Sequence, residues 1–165
     1  MSKTNDNSPD GLAQLRAMLA ADHRAPIGET LNLHLVEVER GRAVFEGTPD
    51  RSVYNPLGAV HGGYAATLLD SACGIATYSA LGPGRGHTTL ELKISYLRGL
   101  GTDSGTVRAT GRVVSCGRRV AFAEAELHDG DARLCATATS TLLVFDVEPG
   151  ARGALEAVLP TGGDQ

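Results

Sequence analysis

From Gly62 to Leu81 the chain runs through small and apolar residues, and its only charged side chain there is Asp70. A helix that is apolar all round is normally buried. A carboxylate inside it must be paired, neutralised or used, because an unpaired charge in an apolar site is costly. The segment supplies no cation to pair it, although the hydroxyls of Thr67 or Ser71 are suited to hold a purely structural acid. The missing cation makes Asp70 the first candidate for a nucleophile or a general base. Just upstream lies Asn55-Pro-Leu-Gly-Ala-Val-His61-Gly62-Gly63. Unpaired backbone N–H groups and the positive end of the helix dipole meet at such a helix start, ready for an oxyanion. Glycine at 62 and 63 lets a ligand approach that backbone, and a tight loop-to-helix turn is the plainer use of the same residues. His61 suits a base, an orienting group or a helix cap. Asn55 suits an amide that positions water or a carbonyl oxygen, or a turn residue before Pro56.

Gly62 and Asp70 are eight residues apart, about 12 Å along one helix axis. A single helix cannot bring both to one carbonyl. If they act together, the helix start of one subunit must meet Asp70 of another, and the spacing then implies a dimeric site.

The surrounding segments read as a frame for that helix. Asp10 is an N-cap for a short amphipathic helix from Leu12 to about Asp22. Residues 31–39 alternate as a strand, and Arg40-Gly41 turns the chain into a second strand through Ala43, Phe45 and Gly47. Gly82-Pro-Gly-Arg-Gly86 ends the long helix. Four more alternating segments follow: Thr88–Leu97, Gly105–Val114, Val120–Leu127 and Arg133–Phe145. The small face of Ala121, Ala123 and Ala125 suits a sheet that approaches one helix closely and curls around it. Residues 1–29 form an N-terminal segment and 30–146 the main domain. The Gly- and Pro-rich stretch 147–165 reads as a loosely held tail.

Bulk properties narrow the classes. With 42% apolar and 21% charged residues in 165, the composition suits one globular domain. No apolar run reaches the roughly 20 residues that span a bilayer, so no membrane partner is expected. The polar N-terminus lacks a secretory core, and Cys73, Cys116 and Cys135 show no Cys-x-x-Cys spacing, which points to a reducing cytoplasm and no zinc site. A net charge of −4 argues against nucleic acid. Basic residues nevertheless gather between Arg85 and Arg119, which suits a nucleotide phosphate or, more plainly, solvated strand faces. There is no Gly-x-Ser-x-Gly elbow, and Gly82-x-Gly84-x-Gly86 follows a helix rather than a strand, unlike a dinucleotide fingerprint.

The pattern Asn-x-x-Gly-x-x-His-Gly-Gly with Asp70, followed by Leu-x-Ile-x-Tyr-Leu-Arg98 and by Gly111-Arg-Val-Val with Gly117-Arg118, resembles the hotdog-fold acyl-CoA thioesterases. It is most similar to their phenylacetate-degradation (PaaI-like) branch, which the 4-hydroxybenzoyl-CoA thioesterases also resemble. The resemblance implies an α+β hotdog fold, a curved antiparallel sheet around one central helix. It implies hydrolysis of an aryl or medium-chain acyl-CoA, with Asp70 as nucleophile or general base and the Gly62 N–H polarising the thioester carbonyl. Asn55 then orients substrate or water, and His61 supports that arrangement. Gly63 and Ser71 fall among the substrate-binding positions, and Arg98, Gly117 and Arg118 fall where family members contact coenzyme A. No metal and no cofactor beyond the substrate's own coenzyme A are implied, and the expected assembly is a homodimer or a dimer-of-dimers tetramer. Some relatives carry glutamate at position 70, and some carry a water-holding hydroxyl where Gly74 stands; Ser71 or Thr77 are the substitutes within reach. The rival readings are an enoyl-CoA hydratase or dehydratase of the same fold, disfavoured by Gly-Gly after His61, and a non-catalytic acyl-CoA-binding module.

Overall fold

The computed structural model describes residues 9–147. The elements follow in the order α1 (Gly11–Ala20), α2 (Pro26–Leu31), β1 (Leu33–Glu39), β2 (Arg42–Gly47), α3 (Gly62–Ala80), β3 (Arg85–Tyr96), β4 (Val107–Cys116), β5 (Val120–His128) and β6 (Leu134–Asp146). The six strands form one sheet in the order β1-β2-β4-β5-β6-β3, with every neighbouring pair antiparallel. All six touch α3. This is the expected hotdog arrangement, a sheet wrapped around one long helix.

Small side chains make the wrap possible. β5 buries Ala121, Ala123, Ala125 and Leu127 and turns Phe122, Glu124 and Glu126 outward. On the neighbouring β4, Gly111 lies so close to α3 that a Cβ there would stand 2.2 Å from the Ala72 carbonyl oxygen. The helix answers with Ala65, Leu68, Leu69, Ala72, Cys73 and Ala76, all buried. Burial pushes the Cys73 thiol up to about 12, with the charges of Asp70 and Glu124 adding to it. It is therefore a neutral core group at pH 7 and no nucleophile.

Three differences from the sequence reading have plain causes. First, α3 is not buried all round. Ala66, Thr67, Asp70, Ser71, Ile75 and Tyr78 are only partly covered, because the sheet embraces one side of the helix and leaves the other open. Second, α2 was not expected. It occupies six residues, opens on Pro26 at its first turn and closes on Asn32 in the left-handed region at φ 50°. Those end signals are the usual ones, but six residues show no periodicity. Third, the boundary placed at residue 29 falls inside α2. Asp10 does cap α1 as expected, accepting from the Ala13 N–H at 2.9 Å. α1 is tied to the end of α3 by a Gly11 N–H to Leu81 carbonyl bond of 3.2 Å. The tail reading falls almost wholly on residues 148–165, outside the described residues.

Candidate active site

The first half of the site is the start of α3. His61 is its N-cap, and its Nδ1 accepts from the Gly63 N–H at 2.8 Å. The capping bond consumes the Gly63 amide and leaves the histidine proton on Nε2. The Gly62 N–H, in contrast, has no hydrogen-bond acceptor among the described residues. Asn55 locks the preceding loop: its Oδ1 accepts from the Leu57 N–H at 2.9 Å and the Ala59 N–H at 3.2 Å. Its amide NH2 has no acceptor among the described residues and is left for an outside one. Tyr96, from the last residue of β3, donates its hydroxyl to the Gly62 carbonyl at 2.9 Å. Its ring covers Gly62 closely, since a Cβ there would meet it at 3.2 Å. Tyr96→Phe should remove about 1 kcal/mol of that alignment, and kcat is expected to fall about fivefold with the melting temperature little changed, as steady-state kinetics beside a thermal melt would show.

The second half lies two turns further along the helix. Asp70 is half-buried, and the Thr89 hydroxyl of β3 donates to its Oδ1 at 3.0 Å. The structural alternative named Thr67 or Ser71 as its holder. Thr67 instead donates to the Gly63 carbonyl at 2.9 Å, because i to i−4 hydroxyls fold back onto their own helix. Asp70 lines a cavity of about 520 Å³ between α3, β3, and the α1–α2 region, with Ser71 and Gly74 beside it. Leu15, Met18, Leu19, Leu35, Phe45 and Ile75 make much of the wall apolar. Thr77, one of the two candidates to replace a hydroxyl at position 74, is fully buried and donates to the Cys73 carbonyl at 2.9 Å. It faces the core and not the cavity. Ser71 does line it.

His87 of β3 also lines this cavity. Its ring lies over the bare helix at Gly74, with Nε2 3.1 Å from where a Cβ would stand. Burial lowers its pKa below the usual histidine value, against the opposing pull of the Asp70 charge. Thr89, His87 and Tyr96 were not singled out in the sequence for site roles. Tyr96 stood inside the quoted Leu-x-Ile-x-Tyr-Leu-Arg98 run, which was the one signal available.

The structure thus gathers Asn55, His61, Gly62 and Gly63 with Tyr96, and separately Asp70, Ser71 and Gly74 with Thr89 and His87. It does not bring the two groups together in one chain. The basic positions divide in the same way. Arg98 follows the Tyr96 end of β3. Gly117 and Arg118 sit in the β4–β5 turn, where the Arg118 carbonyl accepts from Arg85 at the opposite end of β3. Arg108 is taken up by Glu37 and Glu46 and belongs to the sheet surface. Among the described residues no three His, Cys, Asp or Glu side chains gather as a metal set, and no helix is long and apolar enough to cross a membrane.

An antiparallel sheet wrapped on a helix that carries a free amide at its start and a carboxylate in a cavity wall is a hotdog protein with groups suited to attack on a carbonyl. The comparisons with known proteins make this specific. Residues 57–136 match the family model described as the thioesterase superfamily. A Saccharolobus solfataricus protein named as an esterase is 33% identical over 115 residues, covering 70% of this chain and 75% of that one. The 1,4-dihydroxy-2-naphthoyl-CoA hydrolase of Listeria monocytogenes is 27% identical over 116 residues, covering 70% of this chain and 93% of the relative. Among solved structures, a phenylacetic acid degradation-related protein of Ralstonia eutropha superposes with a TM-score of 0.70 at 28% identity, covering 79% of this chain and 98% of that one. The chain belongs to the thioesterase superfamily, and thioester hydrolysis is its chemistry.

Proposed function

We propose that this enzyme hydrolyses aryl or medium-chain acyl-CoA thioesters at a site completed by two copies of the chain. The observation that carries the reading is Asp70, held by Thr89 in the wall of a largely apolar cavity. A volume of about 520 Å³ lies in the range that small-molecule pockets occupy. The coenzyme A hydrolase among the relatives supports the substrate class.

The helix start that should polarise the carbonyl is about 12 Å from Asp70 in the same chain. The sheet supplies a remedy. Among the described residues β3 is a terminal strand paired on one side only, with β6, and Leu90 and Tyr96 on it are 59% and 55% exposed. Such an edge is a template for pairing. A two-fold axis through its middle would run two β3 strands antiparallel, setting the Tyr96 end of one copy beside the Arg85 end of the other. Gly62 lies under Tyr96 and Asp70 beside Thr89, so that pairing carries the free amide of one copy towards the carboxylate of the other. It also carries Arg98 of one copy towards Gly117 and Arg118 of the other, where coenzyme A phosphates would find them. A homodimer, or two such dimers as a tetramer, follows from this reading.

In the reaction the Gly62 N–H donates to the thioester oxygen as it gains charge. Asn55 points its amide NH2 at substrate or water. Asp70 either attacks the carbonyl carbon or takes the proton of a water that does. Coenzyme A leaves as a thiolate, a leaving group good enough to need no metal or cofactor. The test is release of free thiol across a panel of acyl-CoAs. Turnover of aryl or medium-chain members is expected. Hydration of an enoyl-CoA with the thioester intact, or tight binding without thiol release, would overturn the reading.

A further inference from the structure

Two residues on a strand face two residues on a helix beside the cavity. Thr89 and His87 are neighbours on one face of β3, and Asp70 and Gly74 are neighbours one turn apart on α3; all four line the cavity. Thr89 donates to Asp70 Oδ1 and leaves Oδ2 for another donor. His87 stands against Gly74, its Nε2 3.1 Å from the place a Cβ would take. A larger residue at 74 would push the imidazole away, so the bare helix is what admits the ring. The other ring nitrogen, Nδ1, is buried with no hydrogen-bond partner among the described residues. The ring packs against Tyr78, with centroids 5.9 Å apart, and a polar ring that also stands beside a reactive carboxylate is a candidate for a role beyond packing.

The ring is held below its ordinary pKa by burial, while the Asp70 charge pulls the other way. It is therefore neutral at pH 7 and has a lone pair that accepts a hydrogen bond. The titratable and charged groups that face the cavity around it are Asp70 and Tyr78 of α3, Arg85 of its own strand, His34 of β1, and Asp22, His23 and Arg24 after α1. Asp70 is the charge that moves its pKa.

Resting on the thioesterase reading, with Asp70 as general base, we propose that His87 is a further catalytic residue, holding the attacking water together with Asp70. One O–H of the water points to Asp70 Oδ2 and the other to the imidazole nitrogen, which turns an oxygen lone pair towards the carbonyl. The water oxygen bonds to the carbonyl carbon and its proton passes to Asp70. The tetrahedral oxyanion then collapses, the C–S bond breaks with its electron pair on sulfur, and the proton on Asp70 ends on the thiolate. An imidazolium cannot accept from the water and would pair with Asp70 instead, so the rate falls as acid protonates His87.

The experiment compares His87→Phe, His87→Gln and Gly74→Ala with the parent in thiol release from an acyl-CoA that the parent hydrolyses. His87→Phe keeps the size of the ring and removes both nitrogens, and kcat is expected to fall about a hundredfold with KM within about threefold of the parent. His87→Gln should recover most of that loss and lack the decline in acid that the parent is expected to show as His87 protonates. Gly74→Ala favours the helix yet crowds Nε2, so its melting temperature should be no lower while kcat drops several-fold. That last combination is one a merely structural histidine would not produce, and it stands even where the Phe variant fails to fold. An unchanged kcat in either His87→Phe or Gly74→Ala overturns the role of His87 and leaves the thioesterase intact. A parent that frees no thiol from any acyl-CoA removes the thioesterase reading and this inference with it.

Discussion

Asp70→Asn is expected to fold as the parent does and to hydrolyse thioesters about a thousandfold more slowly or worse, the scale on which a positioned acid or base acts. The change removes charge and basicity and almost nothing else. An amide has the shape of the carboxylate, and its oxygen still accepts from the Thr89 hydroxyl that now bonds Oδ1 at 3.0 Å. Because the side chain is half-buried and not sealed in the core, no orphaned charge complicates the comparison. Thiol release beside a thermal melt separates loss of chemistry from loss of fold. Near-normal turnover in the folded variant would remove Asp70 from the mechanism.

The same variant tests whether the site is shared. Gly62→Pro deletes the free amide at the first residue of α3, the helical position that proline tolerates best. Each variant should be nearly inactive alone. In mixed dimers, one of the two sites takes its amide from the Asp70→Asn subunit and its carboxylate from the Gly62→Pro subunit. Random exchange in a closed two-fold dimer should then restore about a quarter of parental activity. A mixture no more active than its two components would show that each chain works with its own helix.

How much of this was legible in the residues depended on whether the signal was local. The alternation of Val120–Leu127 read correctly because the burial of Ala121, Ala123 and Ala125 is a property of one strand. Asp70 stood out because a helix of apolar residues makes any charge visible. Thr89 and His87 did not, because what they touch is decided by topology. β3 follows α3 in the chain, yet it pairs with β6, the last strand, and only that placement lays its inner face along Asp70 and Gly74. The basic run from Arg85 to Arg119 failed as a single patch for the same reason. Arg85 and Arg98 went to opposite ends of β3, and Arg108 was spent on Glu37 and Glu46. His61 was legible as a helix-start residue, but its choice of Nδ1 for the Gly63 N–H depends on a rotamer that no spacing encodes.

Gly111→Ala is expected to cost more stability than any other single methyl in the sheet. A Cβ at this position would stand 2.2 Å from the Ala72 carbonyl oxygen, 2.4 Å from its carbon and 2.9 Å from the Cys73 nitrogen. All three are backbone atoms of α3, so no side chain can rotate aside and β4 must retreat from the helix. Overpacking of ordinary cores costs 1–3 kcal/mol, and with an unyielding backbone about 3 kcal/mol is the expected figure. For a chain of this size that corresponds to a fall of about 10 °C in melting temperature. Gly99→Ala is the control, since a Cβ there meets nothing within 4 Å; its melting temperature should stay near that of the parent. Activity should suffer beyond the loss of stability. α3 carries Gly62 and Asp70, whereas β3 carries Thr89, His87 and Tyr96, and a helix displaced from the sheet misaligns both sets together. Misplacements on the ångström scale cost about a hundredfold in rate, so the folded fraction of Gly111→Ala at low temperature should remain a poor enzyme. Parental stability and turnover in this variant would mean that the sheet does not rest on the helix backbone, and the close wrap that positions the site would have to be given up.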